Sequence, residues 1–140
     1  MLNILIVDDI PHLKVDPALD YLKYYDKLEF NRIYTEDVNS ALRYIKSNSD
    51  KIDFIILDLG LPLIKDGDLE ALCGLYVLQF MVRYKYRIPV IINSSTSIPN
   101  EEELIDDLKD AKIEVTHVKS LNPDWLSHFI KFDLPNIRNN

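Results

Sequence analysis

The chain has 140 residues, 47% of them apolar, with 23 acidic against 16 basic side chains and a net charge of −7. That length points to one compact domain with its own core, and the acidic balance argues against nucleic acid or an anionic membrane as the main partner. Cys73 is the only cysteine, which rules out an internal disulfide or a cysteine-based zinc site and fits a reducing, cytoplasmic setting. No apolar run approaches the ~18 residues of a membrane span. The start, "MLNIL", lacks the basic region of a signal peptide.

In chain order, the first strand is the run "ILIV", Ile4–Val7, which leads straight into Asp8 and Asp9. Leu19 and Leu22 then mark a helix, with Asp16-Pro17 as its cap and first turn. "FNRIYT" is a weaker strand. Val38, Ala41, Leu42 and Ile45 follow an i, i+3, i+4, i+7 helical pattern. "FIIL", Phe54–Leu57, is a third strand ending at Asp58. Leu75, Leu78, Gln79 and Val82 mark a third helix, and "PVIIN" is a fourth strand that passes from Asn93 into Ser94-Ser95. "NEEELIDDL" reads as a helix opened by a capping box of Asn100 and Glu103, its acids favoured by the helix dipole. "VTHV" is the fifth strand, ending at Lys119. Asn122 caps and Pro123 opens a last helix carrying Trp125, Leu126, Phe129 and Ile130.

Strands that are apolar without alternation are covered on both faces, as in a parallel sheet. The order βαβαβαβαβα therefore predicts an α/β fold, a doubly wound sheet with right-handed crossovers. Ligands in such folds sit beyond the carboxyl ends of the strands. Asp8, Asp9, Asp58, Ser94 and Lys119 all stand there. Two adjacent aspartates repel, and neither is at ease beside an apolar core. A hard divalent cation bound by oxygen relieves that repulsion, with Mg2+ the natural choice and Mn2+ an alternative. A hydroxyl and a lysine opposite can hold phosphoryl oxygens, and one carboxylate can be the nucleophile that accepts the group.

This set resembles the receiver domain of two-component response regulators, in particular the single-domain, chemotaxis-receiver-like form. "ILIVDD", "DFIILDLGLP", "IPVIINSS" and "VTHVKS" match its strands one, three, four and five, and their site residues, in order. The resemblance covers essentially the whole chain, with residues 1–134 as the receiver and 135–140 as a polar, frayed tail. It implies a five-stranded flavodoxin-like sheet in the order 2-1-3-4-5. It makes Asp58 the phosphoacceptor and Asp9 a direct Mg2+ ligand. Asp8 would bind directly or through water, and the backbone carbonyl of Gly60 would add a further ligand. Ser94 would be the switch hydroxyl, and Lys119 would pair with phosphate or with Asp58. The partner would be a histidine kinase or histidine phosphotransfer protein. The domain would catalyse its own phosphorylation and dephosphorylation without being a turnover enzyme. Output would run through protein–protein contact, as a monomer or a phosphorylation-dependent dimer, unless the chain is part of a longer regulator.

Three features depart from the family pattern. Gly74, rather than Gly67, fits the glycine before the third helix, which implies an insertion of about eight residues, Lys65 to Leu72, read as a tolerated surface loop or as a partner-selecting one. Ser120 follows Lys119 where proline is usual. Thr116 occupies the place of the switch aromatic, and strand alternation puts the neighbouring His117 on the side of Lys119. His117 is expected to pack on the sheet, Cys73 to be a small buried residue, the tyrosines to rim the core, and the acids from Glu101 to Asp107 to form a solvated face. Two rivals remain. One is a degenerate receiver that binds partners without phosphorylation. The other is a small Mg2+-dependent phosphatase, which normally needs an acidic residue where Gly60 stands.

Overall fold

A computed structural model of the chain describes residues 1–64 and 72–138. Its strands are β1 (Leu2–Val7), β2 (Phe30–Thr35), β3 (Phe54–Leu57), β4 (Val90–Asn93) and β5 (Val115–Val118). They form one parallel sheet in the order β2-β1-β3-β4-β5, as the resemblance implied. The helices are α1 (Pro11–Tyr25), α2 (Val38–Asn48), α3 (Leu75–Tyr84), α4 (Glu101–Asp110), α5 (Pro123–His128) and α6 (Leu134–Arg138).

The apolar runs are strands because both faces of the sheet are covered. Every residue of β3 and β4 is buried. Alternate side chains serve two cores. Leu5, Val7, Ile55, Leu57, Val90 and Ile92 meet α2, α3 and α4 on one side. Ile4, Ile6, Phe54, Ile56 and Ile91 meet α1, α5 and α6 on the other. Each fully buried aliphatic side chain contributes roughly 1.5–3 kcal/mol against the entropy of ordering the chain.

The helix starts correct the sequence reading in two places. Helix α1 begins at Pro11, so Asp16-Pro17 is not its first turn and Pro17 lies inside it. An interior proline withholds the N–H that would bond the carbonyl four residues back. Here that carbonyl belongs to Leu13, and both Pro17 and Leu13 face solvent, where water can satisfy it. Helix α4 does begin after Asn100, but no capping box forms. Asn100 adopts the left-handed region (φ 54°), and its side chain caps nothing. Asn122 does cap α5, accepting from the N–H groups of Asp124 and Trp125 at 2.8 and 3.3 Å.

Helix α5 runs through a π-helical turn, Phe129–Asp133, into α6. That turn keeps Leu126, Phe129, Ile130 and Leu134 on the sheet, with Phe129 edge-on to Phe54 at 5.4 Å. The last residues, read as a frayed tail, are helical through Arg138, which pairs with Asp53 at 2.9 Å. Most tyrosines are not core rim either. Tyr21, Tyr24, Tyr25, Tyr34, Tyr76 and Tyr84 are exposed, and Tyr34 lies on a strand.

Candidate functional site

Asp8 and Asp9 leave the carboxyl end of β1, and Asp58 leaves the carboxyl end of β3. The parallel ladder continues one residue past both strands. Asp8 donates its N–H to the Thr35 carbonyl at 3.1 Å, and Asp58 donates to the Val7 carbonyl at 2.8 Å. These bonds fix the two backbones side by side. One carboxylate oxygen from each of Asp8, Asp9 and Asp58 lies within 4.8 Å of the others.

The electrostatics of this cluster are unfavourable without a cation. Asp8 is 4% exposed. Burial pushes its pKa up to about 6, opposed by the Ile10 N–H that its Oδ1 accepts at 2.8 Å, and the charges of Asp58 and Asp9 push it further up. Burial and Asp58 likewise raise Asp9. Among the described residues, no lysine or arginine forms an ion pair with any of the three. Three mutually repelling hard oxygen donors are a donor set that suits Mg2+, which keeps several waters and needs few carboxylates. Gly60 stands beside Asp58, donating its N–H to Asp58 Oδ1 at 3.1 Å.

The loop after Asp58 is fastened at several points. Leu59 and Leu61 are fully buried. The Pro62 and Leu63 carbonyls accept the N–H groups of Val38 and Asn39, which open α2, at 3.0 and 3.1 Å. Asp37, a cap the sequence reading passed over, accepts from Ser40 at 2.6 Å. The chain returns through Gly74, whose N–H donates to the Leu59 carbonyl at 2.9 Å, just ahead of α3. Residues 65–71 of the expected insertion lie outside the described residues.

On the β4 side, Ser94 is buried, and its hydroxyl accepts the Thr96 N–H at 3.3 Å. Lys119 is exposed and lines a cavity of about 280 Å3 with Ser95, Thr96, Ser97, Glu101 and His117. Its ammonium makes no ion pair with Asp58 among the described residues. Strand order places Lys119 just past the carboxyl end of β5. Thr116 faces the α5–α6 side beside Phe129 and Ile137. No cis peptide bond occurs among the described residues.

Two residues matter more here than the sequence suggested. His117 is not simply packed on the sheet: Nε2 bonds the Ser94 carbonyl at 2.9 Å, and Nδ1 bonds Glu101 Oε1. Asn93 is 1% exposed, and neither amide atom has a partner among the described residues. Since Val7, Leu57 and Ile92 pair across β1, β3 and β4, the next rung is Asp8, Asp58 and Asn93. A polar residue at the end of an apolar run is a visible signal for Asn93; the bonds of His117 leave none.

No family model matches the sequence, and no curated protein matches it. Solved structures do. The signal receiver domain of a putative LuxO repressor protein from Vibrio parahaemolyticus is 24% identical with a TM-score of 0.66, over 99% of this chain and 93% of that one. A CheY-like response regulator receiver domain protein from Methanospirillum hungatei is 19% identical with a TM-score of 0.63, over 99% and 98%. A response regulator receiver domain protein from Clostridium thermocellum is 20% identical with a TM-score of 0.60, over 99% and 95%. At these identities the likeness establishes the fold, which is that of response regulator receiver domains.

Proposed function

We propose that the chain is a phosphoacceptor receiver that takes a phosphoryl group onto Asp58 from a phosphohistidine of a histidine kinase or phosphotransfer protein. The observation that carries this reading is the meeting of Asp8, Asp9 and Asp58 within 4.8 Å at the carboxyl edge of a parallel sheet. Asp8, Asp9, Asp58 and the Gly60 backbone carbonyl would hold Mg2+. Once bound, the ion supplies charge neutralisation for the incoming phosphoryl oxygens.

The chain's own residues supply the rest. The Gly60 N–H on Oδ1 fixes the rotation of the Asp58 carboxylate and leaves its other oxygen to attack phosphorus. The new O–P bond forms as the P–N bond breaks. The electron pair stays on the imidazole nitrogen, which takes a proton from solvent. Later attack by water on phosphorus releases phosphate and restores the carboxylate. Ser94 donates its hydroxyl to one phosphoryl oxygen. Lys119, exposed at the rim, swings in to pair with another. The resulting shift of a pre-existing equilibrium alters a protein-binding surface near the last two strands.

Incubation with Mg2+ and a small phosphodonor is expected to give an acid-stable, base-labile adduct on Asp58, absent in Asp58→Asn and absent with EDTA. No adduct with any donor overturns the reading. The position of Lys119, unpaired with Asp58 among the described residues, favours a second reading in which the domain binds its partner unphosphorylated. Partner affinity that Asp58→Asn leaves unchanged would select that one.

A further inference from the structure

We infer that His117 is the positioning residue that couples Ser94 to helix α4, in place of the rotating aromatic that Thr116 cannot supply. This inference rests on the phosphoacceptor reading of Asp58 and identifies how that site reaches a distant surface. His117 sits on β5 between two elements. Its Nε2 bonds the Ser94 carbonyl at 2.9 Å, and its Nδ1 bonds the carboxylate of Glu101, the first residue of α4. A carbonyl only accepts hydrogen bonds, and so does an ionised carboxylate. Nε2 therefore donates to the Ser94 carbonyl, and the Nδ1–Glu101 contact is held by one proton between ring and carboxylate.

Helix α4 is the element such a bridge can control. It buries only Leu108, whereas α1 buries four residues and α2 and α3 bury three each. Its cap residue Asn100 is left-handed and gives no side-chain bond, so its first turn lacks the usual fastening. Among the described residues, the His117 bond to Glu101 is the side-chain tie on that turn. At the other end, Ser94 holds its hydroxyl on the Thr96 N–H. If that hydroxyl turns to a phosphoryl oxygen on Asp58, the Ser94 peptide moves with it. The carbonyl on the same residue is the one His117 grips. The shift is then passed to Glu101 and loosens a helix that buries a single side chain.

The test uses backbone amide NMR with Mg2+ and beryllofluoride, a phosphoryl mimic. In the native chain, the amides of Ser94 and Ser95 and those of Glu101 to Leu104 are expected to shift together. In His117→Ala, the first group still shifts and the second shifts at most about a third as far. Glu101→Ala behaves likewise. Glu101→Gln, which keeps an acceptor for Nδ1–H, retains most of the shift, a rescue that general loosening of the fold does not give. Undiminished α4 shifts in His117→Ala overturn the coupling. Absence of any adduct in the native chain overturns the phosphoacceptor reading instead. Amide exchange in EDTA then decides the tether alone: His117→Ala is expected to speed exchange in the first turns of α4 by about five- to tenfold, the loss of one hydrogen bond. Unchanged exchange there overturns the tether.

Discussion

Gly74 rests directly on the backbone that carries Asp58. A Cβ at Gly74 would stand 2.6 Å from the Asp58 carbonyl oxygen and 2.6 Å from the Leu59 Cα. Its φ of −58° is open to any residue, so glycine is needed here for space alone. Gly74→Ala must push the start of α3 away from the loop that holds Asp58. The expected cost is about 2 kcal/mol, read from urea unfolding. The Gly74–Leu59 hydrogen bond should weaken and phosphorylation of Asp58 should slow. A substitution without effect on either would mean that α3 does not help to position the acceptor.

The pH dependence follows from Asp8. Its folded pKa, about 6, stands above the ordinary value of 3.8. The folded state therefore binds more protons than the unfolded state between those values, and stability falls as pH rises through that window. In EDTA, the protein should lose on the order of 2 kcal/mol between pH 4 and pH 6.5 from this group alone. Asp58→Asn removes one of the charges that raise Asp8, so it should flatten this slope and stabilise the metal-free protein near pH 7. Millimolar Mg2+ should oppose the loss, because the ion competes with the proton for the same oxygens. Thermal unfolding across pH, with and without Mg2+, measures all three.

The apolar runs were legible because a doubly covered parallel strand has to be apolar at every position, and the acids that break off such runs mark the edge where ligands bind. Asp8, Asp9 and Asp58 needed only that topology to meet. Pro17 misled because a proline near an acid reads as a helix start, while Pro11, where α1 does start, follows Ile10, which has no side chain to cap with. Asn100 and Glu103 had the spacing of a capping box, but the left-handed backbone at Asn100 turns the side chain away. His117 was hidden for a different reason. Its partners are a backbone carbonyl 23 residues back and a carboxylate 16 residues back, and no local pattern encodes them.

Asp37 connects a helix cap to the acceptor loop. Its buried carboxylate holds the Ser40 N–H at 2.6 Å, and the preceding N–H groups of the same turn hold the Pro62 and Leu63 carbonyls. Asp37→Ala should cost about 1–2 kcal/mol, and Asp37→Ser should cost less because serine can still cap. Amide exchange at Val38 and Asn39 should quicken in the alanine variant, since those donors lose their fixed orientation. Exchange confined to Ser40 would show that the loop holds independently of the cap.

Asn93 lies on the rung of Asp8 and Asp58 and, by alternation, on the same face as the fully buried Ile91. Its amide has no partner among the described residues, and burying it costs desolvation. Asn93→Leu replaces that amide with an apolar group of similar size in an apolar setting. In EDTA, the variant should be more stable by about 1–2 kcal/mol, a rise of roughly 1 M in the urea midpoint. The gain should shrink with Mg2+ and beryllofluoride present, because the extra oxygens at the neighbouring Asp58 offer the native amide the partner it otherwise lacks. A gain of equal size in both conditions would show that the amide serves nothing at the site, and a loss of stability in EDTA would show that it is already satisfied in the free protein.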